Sequence, residues 1–130
     1  MDLPDVKGVG SREGSAEVAF HDGVTLSMRP MLKRGEPVGV EGALFRRGDD
    51  VVAEMVVEEG EGWAFRESGL SAEAAGSYVA AATEAERTLY KAYRSGKIPR
   101  DEWIGRFRDF WKVSIKSRKL LAALKGGEGK

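Results

Sequence analysis

The chain has 130 residues, 32% of them charged, a formal net charge of zero and no cysteine, a size that suits one domain burying roughly 65–70% of its unfolded surface. The lack of Cys excludes disulfide and thiol chemistry, and a single histidine, His21, leaves a zinc site needing an unusual ligand set. No run of about 18 apolar residues and no signal-peptide pattern is present, so a soluble, cytoplasmic protein with no membrane partner is expected.

Residues 1–15, "MDLPDVKGVGSREGS", are rich in Gly and charge and are expected to form a flexible N-terminal arm. Strand signals follow. "SAEVAF" runs into the turn "HDG", and "VTLSMR" alternates Val24, Leu26 and Met28 against Thr25, Ser27 and Arg29. After "KRGEP", the stretch "VGVEGALFRR" reads as a strand whose glycines predict a bulge or a bent path. "GDD" turns the chain into "VVAEMVVEE", with Val51, Ala53, Met55 and Val57 expected on one face, and "GEG" leads into "WAFRE". Four or five strands joined by short turns predict an antiparallel meander.

The apolar period changes at Ser71, a good N-cap with Glu73 in the first turn. Tyr78, Ala82, Ala85, Leu89 and Ala92 mark one helical face, and Gly96 is the expected stop. Pro99, Asp101 and Glu102 restart a helix that is expected to run to about Leu124. The predicted fold is therefore α+β: an antiparallel four- to five-stranded meander sheet packed by a C-terminal helical hairpin. One α+β domain over residues 16–124 would be followed by a flexible tail, 125–130.

Charge is divided along the chain. Residues 1–70 carry 8 Lys/Arg against 14 Asp/Glu, and residues 71–130 carry 13 against 7. A basic half favours a polyanionic partner, although a solvated helix surface gives the same count. Neither Asn nor Gln occurs. An amide-free, charge-rich composition is the habit of heat-adapted proteins. It also removes the usual bidentate readers of adenine, which argues against sequence-specific duplex reading.

Catalytic patterns are missing. Gly8 and Gly10 lack a third glycine at the dinucleotide-binding spacing and precede a strand, and "KGGEGK" has no helix after it. No Ser sits in a nucleophile elbow. Asp49–Asp50 and Glu58–Glu59 are candidate general acids or magnesium ligands, and His21 beside Asp22 a candidate base. Turn acids and turn histidines are more often simply solvated. No enzyme and no cofactor is expected.

The stretch "WIGRFRDFWKVSIKSRK", 103–119, carries the main signal. At about 100° per residue, Trp103, Ile104, Phe107, Phe110, Trp111, Ile115 and Leu121 fall within roughly 140°, opposite Arg108, Lys112, Lys116 and Lys119. Such a sector is the normal buried face of an amphipathic helix. Two features point beyond a plain core: Arg118 falls inside the apolar sector, and the bulky rings oppose a mostly alanine helix. Trp63, Phe65 and Arg66 from the sheet, with Tyr90 and Tyr93, are placed to join the same rim. Rings interleaved with cations, as in "RFRDFWK", equip a protein to stack unpaired bases and hold phosphates.

Through "WAFRE", "RFRDFWK" and the order of a strand meander before a helical hairpin, residues 15–124 resemble the ThermoDBP family of archaeal single-stranded DNA-binding proteins and their relatives. The resemblance implies binding of single strands in an apolar cleft edged by basic groups. Carried over by chemical type, Trp63, Phe65, Tyr90, Trp103, Phe107 and Trp111 would offer stacking surface. Arg66, Arg94, Arg106, Arg108, Lys112 and Arg118 would meet phosphates. The implied partner is single-stranded DNA, with RNA as a second strand of the same chemistry. Some members dimerise through an added C-terminal helix, so a homodimer is a further expectation, although "KGGEGK" shows no leucine-zipper heptads. The alternative is a protein-interaction module whose aromatic groove takes a partner helix or peptide.

Overall fold

The computed structural model describes residues 3–58 and 62–126. Six strands, β1 (Val6–Arg12), β2 (Ser15–Phe20), β3 (Val24–Lys33), β4 (Glu36–Arg47), β5 (Asp50–Glu58) and β6 (Gly62–Glu67), form one antiparallel sheet in sequential order. The meander is as expected, with one strand more. The added strand is β1, in the segment expected to be a flexible arm. Its charged and glycine-rich sequence hides the alternation, yet Val9 pairs with Val18 and Arg12 with Ser15 across a tight turn. That turn carries Glu13 and Gly14 at φ of 52° and 85°, the backbone that a two-residue hairpin demands.

Period-two alternation places Ala16, Val18, Phe20, Val24, Leu26, Met28, Ala43, Phe45, Ala53 and Met55 on one buried face. The expected bulge in β4 exists. Arg29 pairs with Gly42 and Pro30 with Val40, so Glu41 is unmatched. A second irregularity corrects the reading of β5. Phe45 pairs with Ala53 but Arg46 pairs with Val51, which brings Val52 inward and leaves Val51 exposed. Val57, predicted inward, is exposed as well.

Helix α1 (Ala72–Arg94) starts as expected, with the Ser71 hydroxyl oxygen accepting the Ala74 N–H at 3.1 Å. Its C-terminus closes on Gly96 at φ 86°, with the Lys97 and Ile98 N–H groups both donating to the Ala92 carbonyl. The second helix is not continuous. It comprises α2 (Arg100–Glu102), a π-helical turn (Trp103–Phe107), α3 (Arg108–Ser114), a three-residue turn, and α4 (Arg118–Gly126). The Arg108 N–H donates to the Trp103 carbonyl, five residues back, so the wide turn absorbs one extra residue. The helical phase slips there. Beyond it Phe110, Val113, Ser114, Ser117, Leu120 and Leu124 face the core, while Ile104 and Ile115, placed inward by a uniform wheel, are exposed. Arg118, which the wheel put among the rings, is exposed too.

Helices cover one face of the sheet. Helix α3 lies over β1 to β4, α4 packs on α1, and the π-helical turn sits beside the β1 edge. The predicted flexible tail begins within α4, and 127–130 lie outside the described residues. Among the described residues no helix is long and apolar enough to cross a membrane.

Candidate nucleic-acid interface

Four of the rings meet where the end of α1 crosses the π-helical turn and α3. Tyr93 stacks on Trp103, with centroids 4.6 Å apart and planes 8° from parallel. Tyr90 stacks on Trp111 at 5.0 Å and 10°. The two indoles meet edge-on at 5.7 Å. Helical spacing brings this about: 90 and 93 lie on one side of α1, and the π-helical turn rotates Trp103 toward them. Such pairs add about 0.5–1.5 kcal/mol each beyond the area they bury. The rings therefore stack on one another. Trp103 and Phe107 are buried, Tyr90, Tyr93 and Trp111 half-buried, and no open aromatic trough of the expected kind remains among them.

Trp111 brings a polar irregularity. Its indole Nε1 is buried with no hydrogen-bond partner among the described residues. The Glu86 carboxyl lies by it; burial pushes this carboxyl above the usual carboxylate range, against the opposing pull of Arg87 and the indole N–H.

Three of the predicted residues lie elsewhere. Trp63 and Phe65 are on β6, the opposite edge of the sheet from the π-helical turn. Phe65 pairs with Met55 on the helix-covered side, and both rings pack against the main core. Arg66 points to the uncovered face, within 3.5 Å of Glu54 and 3.6 Å of Glu58. Strand alternation makes that separation unavoidable, since neighbours 65 and 66 must face opposite ways.

The cations of the helical layer behave differently. Arg94, Arg108 and Arg118 are exposed with no carboxylate within 4.0 Å among the described residues. Arg106 pairs with Glu102 at 3.4 Å and covers the Phe107 ring at 5.1 Å. Lys112 reaches Glu36 of β4 at 3.0 Å.

To Tyr93 and Arg94, already candidates, the structure adds Ile98 and Arg100, which the sequence reading passed over. Tyr93, one face of which is covered by Trp103, lines a cleft of about 350 Å³ with Arg94, Ile98, Pro99 and Arg100 at the α1–α2 turn. A cleft lined by one ring and two arginines offers both a stacking face and phosphate-binding cations. The signal was present in the spacing "YRSGKIPR", but only the chain reversal at Gly96 brings its ends together. A second cleft, of about 480 Å³ and mainly apolar, lies between β1 and α1 and is lined by Val6, Val9, Ala85, Leu89 and Phe107.

No family model matches the chain, and neither a curated protein nor a solved structure matches it. Its geometry carries the argument.

The candidate acid–base groups are dispersed. Asp49 and Asp50 are exposed at the β4–β5 turn. Asp22 accepts the Tyr78 hydroxyl and, at 3.0 Å, the Val24 N–H, so it braces a turn against α1 and does not orient His21. Burial would raise Asp22, but these two hydrogen bonds and the Arg47 charge hold it below the usual carboxylate range. Burial and Asp22 together push Tyr78 up to about 12. Glu58 pairs with Arg66, and Glu59 lies outside the described residues. No group of three or more His, Asp or Glu is placed to hold a metal among the described residues.

Proposed function

We propose that this protein is a sequence-tolerant binder of single-stranded nucleic acid, DNA in the first instance, that holds the strand on the cationic outer face of its helical layer. One observation carries the reading. Residues 91–119 hold ten Lys/Arg against three Asp/Glu, and among the described residues only Arg106 and Lys112 of those ten have a carboxylate partner. A salt-bridge-laced thermophile surface would neutralise such cations internally. A field left uncompensated attracts a polyanion and releases its counterions.

The base-stacking role shrinks to the exposed side of this layer. Tyr93, in a cleft that Arg94 and Arg100 also line, is the ring best placed for it, and a stacked base there is worth on the order of 1–3 kcal/mol. Trp103, Phe107 and Trp111 act behind it as a rigid backing. The resemblance to the ThermoDBP family agrees with strand binding and with a binding role without catalysis. Trp63, Phe65 and Arg66 have no part in the proposal.

The test is anisotropy of labelled oligo-dT at two salt concentrations, for the wild type and for Arg94→Ala/Arg100→Ala. Binding that weakens steeply with salt, with the variant's slope smaller by about 1.4, supports the proposal. Absence of binding at low salt, or affinity indifferent to salt, overturns it.

A protein-interaction module is the second reading, favoured by the apolar cleft between β1 and α1 and not by the self-filled ring cluster. Partner binding there would survive loss of Arg94 and Arg100.

A further inference from the structure

The hairpin of β3 and β4 outgrows the sheet. Pairing with β2 ends at Met28 and pairing with β5 ends at Gly42, so Pro30–Val40 pair only with each other. The arm turns at Arg34 and Gly35, both at positive φ (53° and 81°), a tight reversal of the type that suits two-residue hairpins. It is apolar along its length, and its tip carries Lys33 and Arg34 with Glu36, opposite Lys33, engaged by Lys112. Leu32 is 58% exposed, Val38 49% and Met31 41%, while Lys33 and Arg34 have no carboxylate partner among the described residues.

Exposed apolar strands normally invite another strand. This arm is built against that. Pro30 and Pro37 remove two N–H donors, and the unmatched residues Glu41 and Val38 distort the ladder, the devices by which edges resist strand addition. What remains is a slender two-stranded ribbon with Met, Leu and Pro side chains and a cationic end. A ribbon of this kind enters a nucleic-acid groove, and such side chains wedge against base steps while cations hold the flanking phosphates. The Lys112–Glu36 contact sets the arm against α3, where exposed Arg108 lies one helical turn before Lys112. Through that contact the arm's tip adjoins the cationic helical layer.

We propose that the β3–β4 arm is the duplex-contacting element of the same interface, so that the preferred ligand is a junction between duplex and single strand. In it Lys33 and Arg34 grip duplex phosphates, and Leu32 and Met31 press on the base step at the fork. This rests on the strand-binding reading above and extends it from free strands to forks.

The experiment compares a DNA hairpin bearing a dT overhang, the blunt hairpin and free oligo-dT, using the wild type, Lys33→Ala/Arg34→Ala and Leu32→Ser. Leu32 is exposed, so the serine variant should fold, and its thermal midpoint checks this. The expected result is tighter wild-type binding to the overhang hairpin than to either other ligand. The tip variant should lose that preference, with a salt slope on the hairpin smaller by about 2, and keep its affinity for oligo-dT. Equal loss of preference without the slope change in Leu32→Ser would assign the wedge. If wild type and tip variant bind all three ligands alike, the arm's role is overturned while strand binding stands. If the wild type binds none of them, the strand-binding reading itself falls. Sedimentation showing a dimer that Leu32→Ser dissociates would overturn the proposal in favour of a second copy on the arm.

Discussion

Tyr93 lies flat on Trp103, 4.6 Å between centroids and 8° from parallel, so the indole meets a protein ring where a base was expected. Trp103 is buried in a cluster that joins α1 to the π-helical turn. Replacing it by Ala should cost about 3–5 kcal/mol of stability, measured by urea denaturation. A loss below about 1 kcal/mol, within the range of surface substitutions, would mean that the cluster is not packed as described.

Tyr78 and Asp22 tie α1 to the β2–β3 turn. Asp22 is held low, so its contribution is complete above the unfolded carboxylate range and is lost as pH falls through the folded value. Tyr78 is pushed up to about 12. Its contribution is complete below the ordinary tyrosine range, near pH ~10, and is lost as pH rises toward the folded value. Tyr78→Phe should lower stability by about 1–2 kcal/mol at neutral pH. It should also flatten both limbs of a stability–pH curve taken by thermal melts. Unchanged limbs would show that the pair is not formed.

Two buried serines should respond oppositely. The Ser117 hydroxyl donates to the Ser114 carbonyl at 2.7 Å, whereas the Ser114 hydroxyl has no partner among the described residues. Ser117→Ala should destabilise by about 1 kcal/mol, while Ser114→Ala should be neutral or stabilise by up to about 1 kcal/mol. Chemical denaturation of both variants checks the sign, and destabilisation by Ser114→Ala would reveal a partner for that hydroxyl.

Gly105 sits exposed in the π-helical turn, outside the positive-φ region and with no heavy atom from elsewhere in the described residues within 4 Å of an added Cβ. Gly105→Ala should raise stability by about 0.5–1 kcal/mol through the lower entropy of the unfolded chain. A lowered melting temperature would show that this turn needs glycine's freedom.

The meander, the start of α1 at Ser71 and its end at Gly96 follow from local rules, because alternation, capping and positive φ act over a few residues. β1 did not show itself, since a Gly- and charge-rich edge strand has little alternation of its own and is defined by pairing with β2. Of the inward face expected for the second helical segment, Trp103, Phe107 and Phe110 are buried, but Ile104, Ile115 and Arg118 turn outward for a related reason. One i→i+5 bond at Trp103 shifts every later side chain, and no residue type announces it. The separation of Trp63, Phe65 and Arg66 from the other rings was likewise decided by sheet order, not by residue type.

The sequence by itself determined an α+β chain with a strand meander, an acidic first half, a basic second half and a concentration of rings and cations near its end. Tertiary structure alone decided which of those groups face solvent. Rings lower their free energy by packing on one another when the backbone brings them within reach, and cations stay outside because desolvating them is costly. The ring cluster therefore closed on itself, and what it left toward solvent is the cleft of Tyr93, Arg94 and Arg100, the unpaired cations of the helices and the apolar arm of β3 and β4.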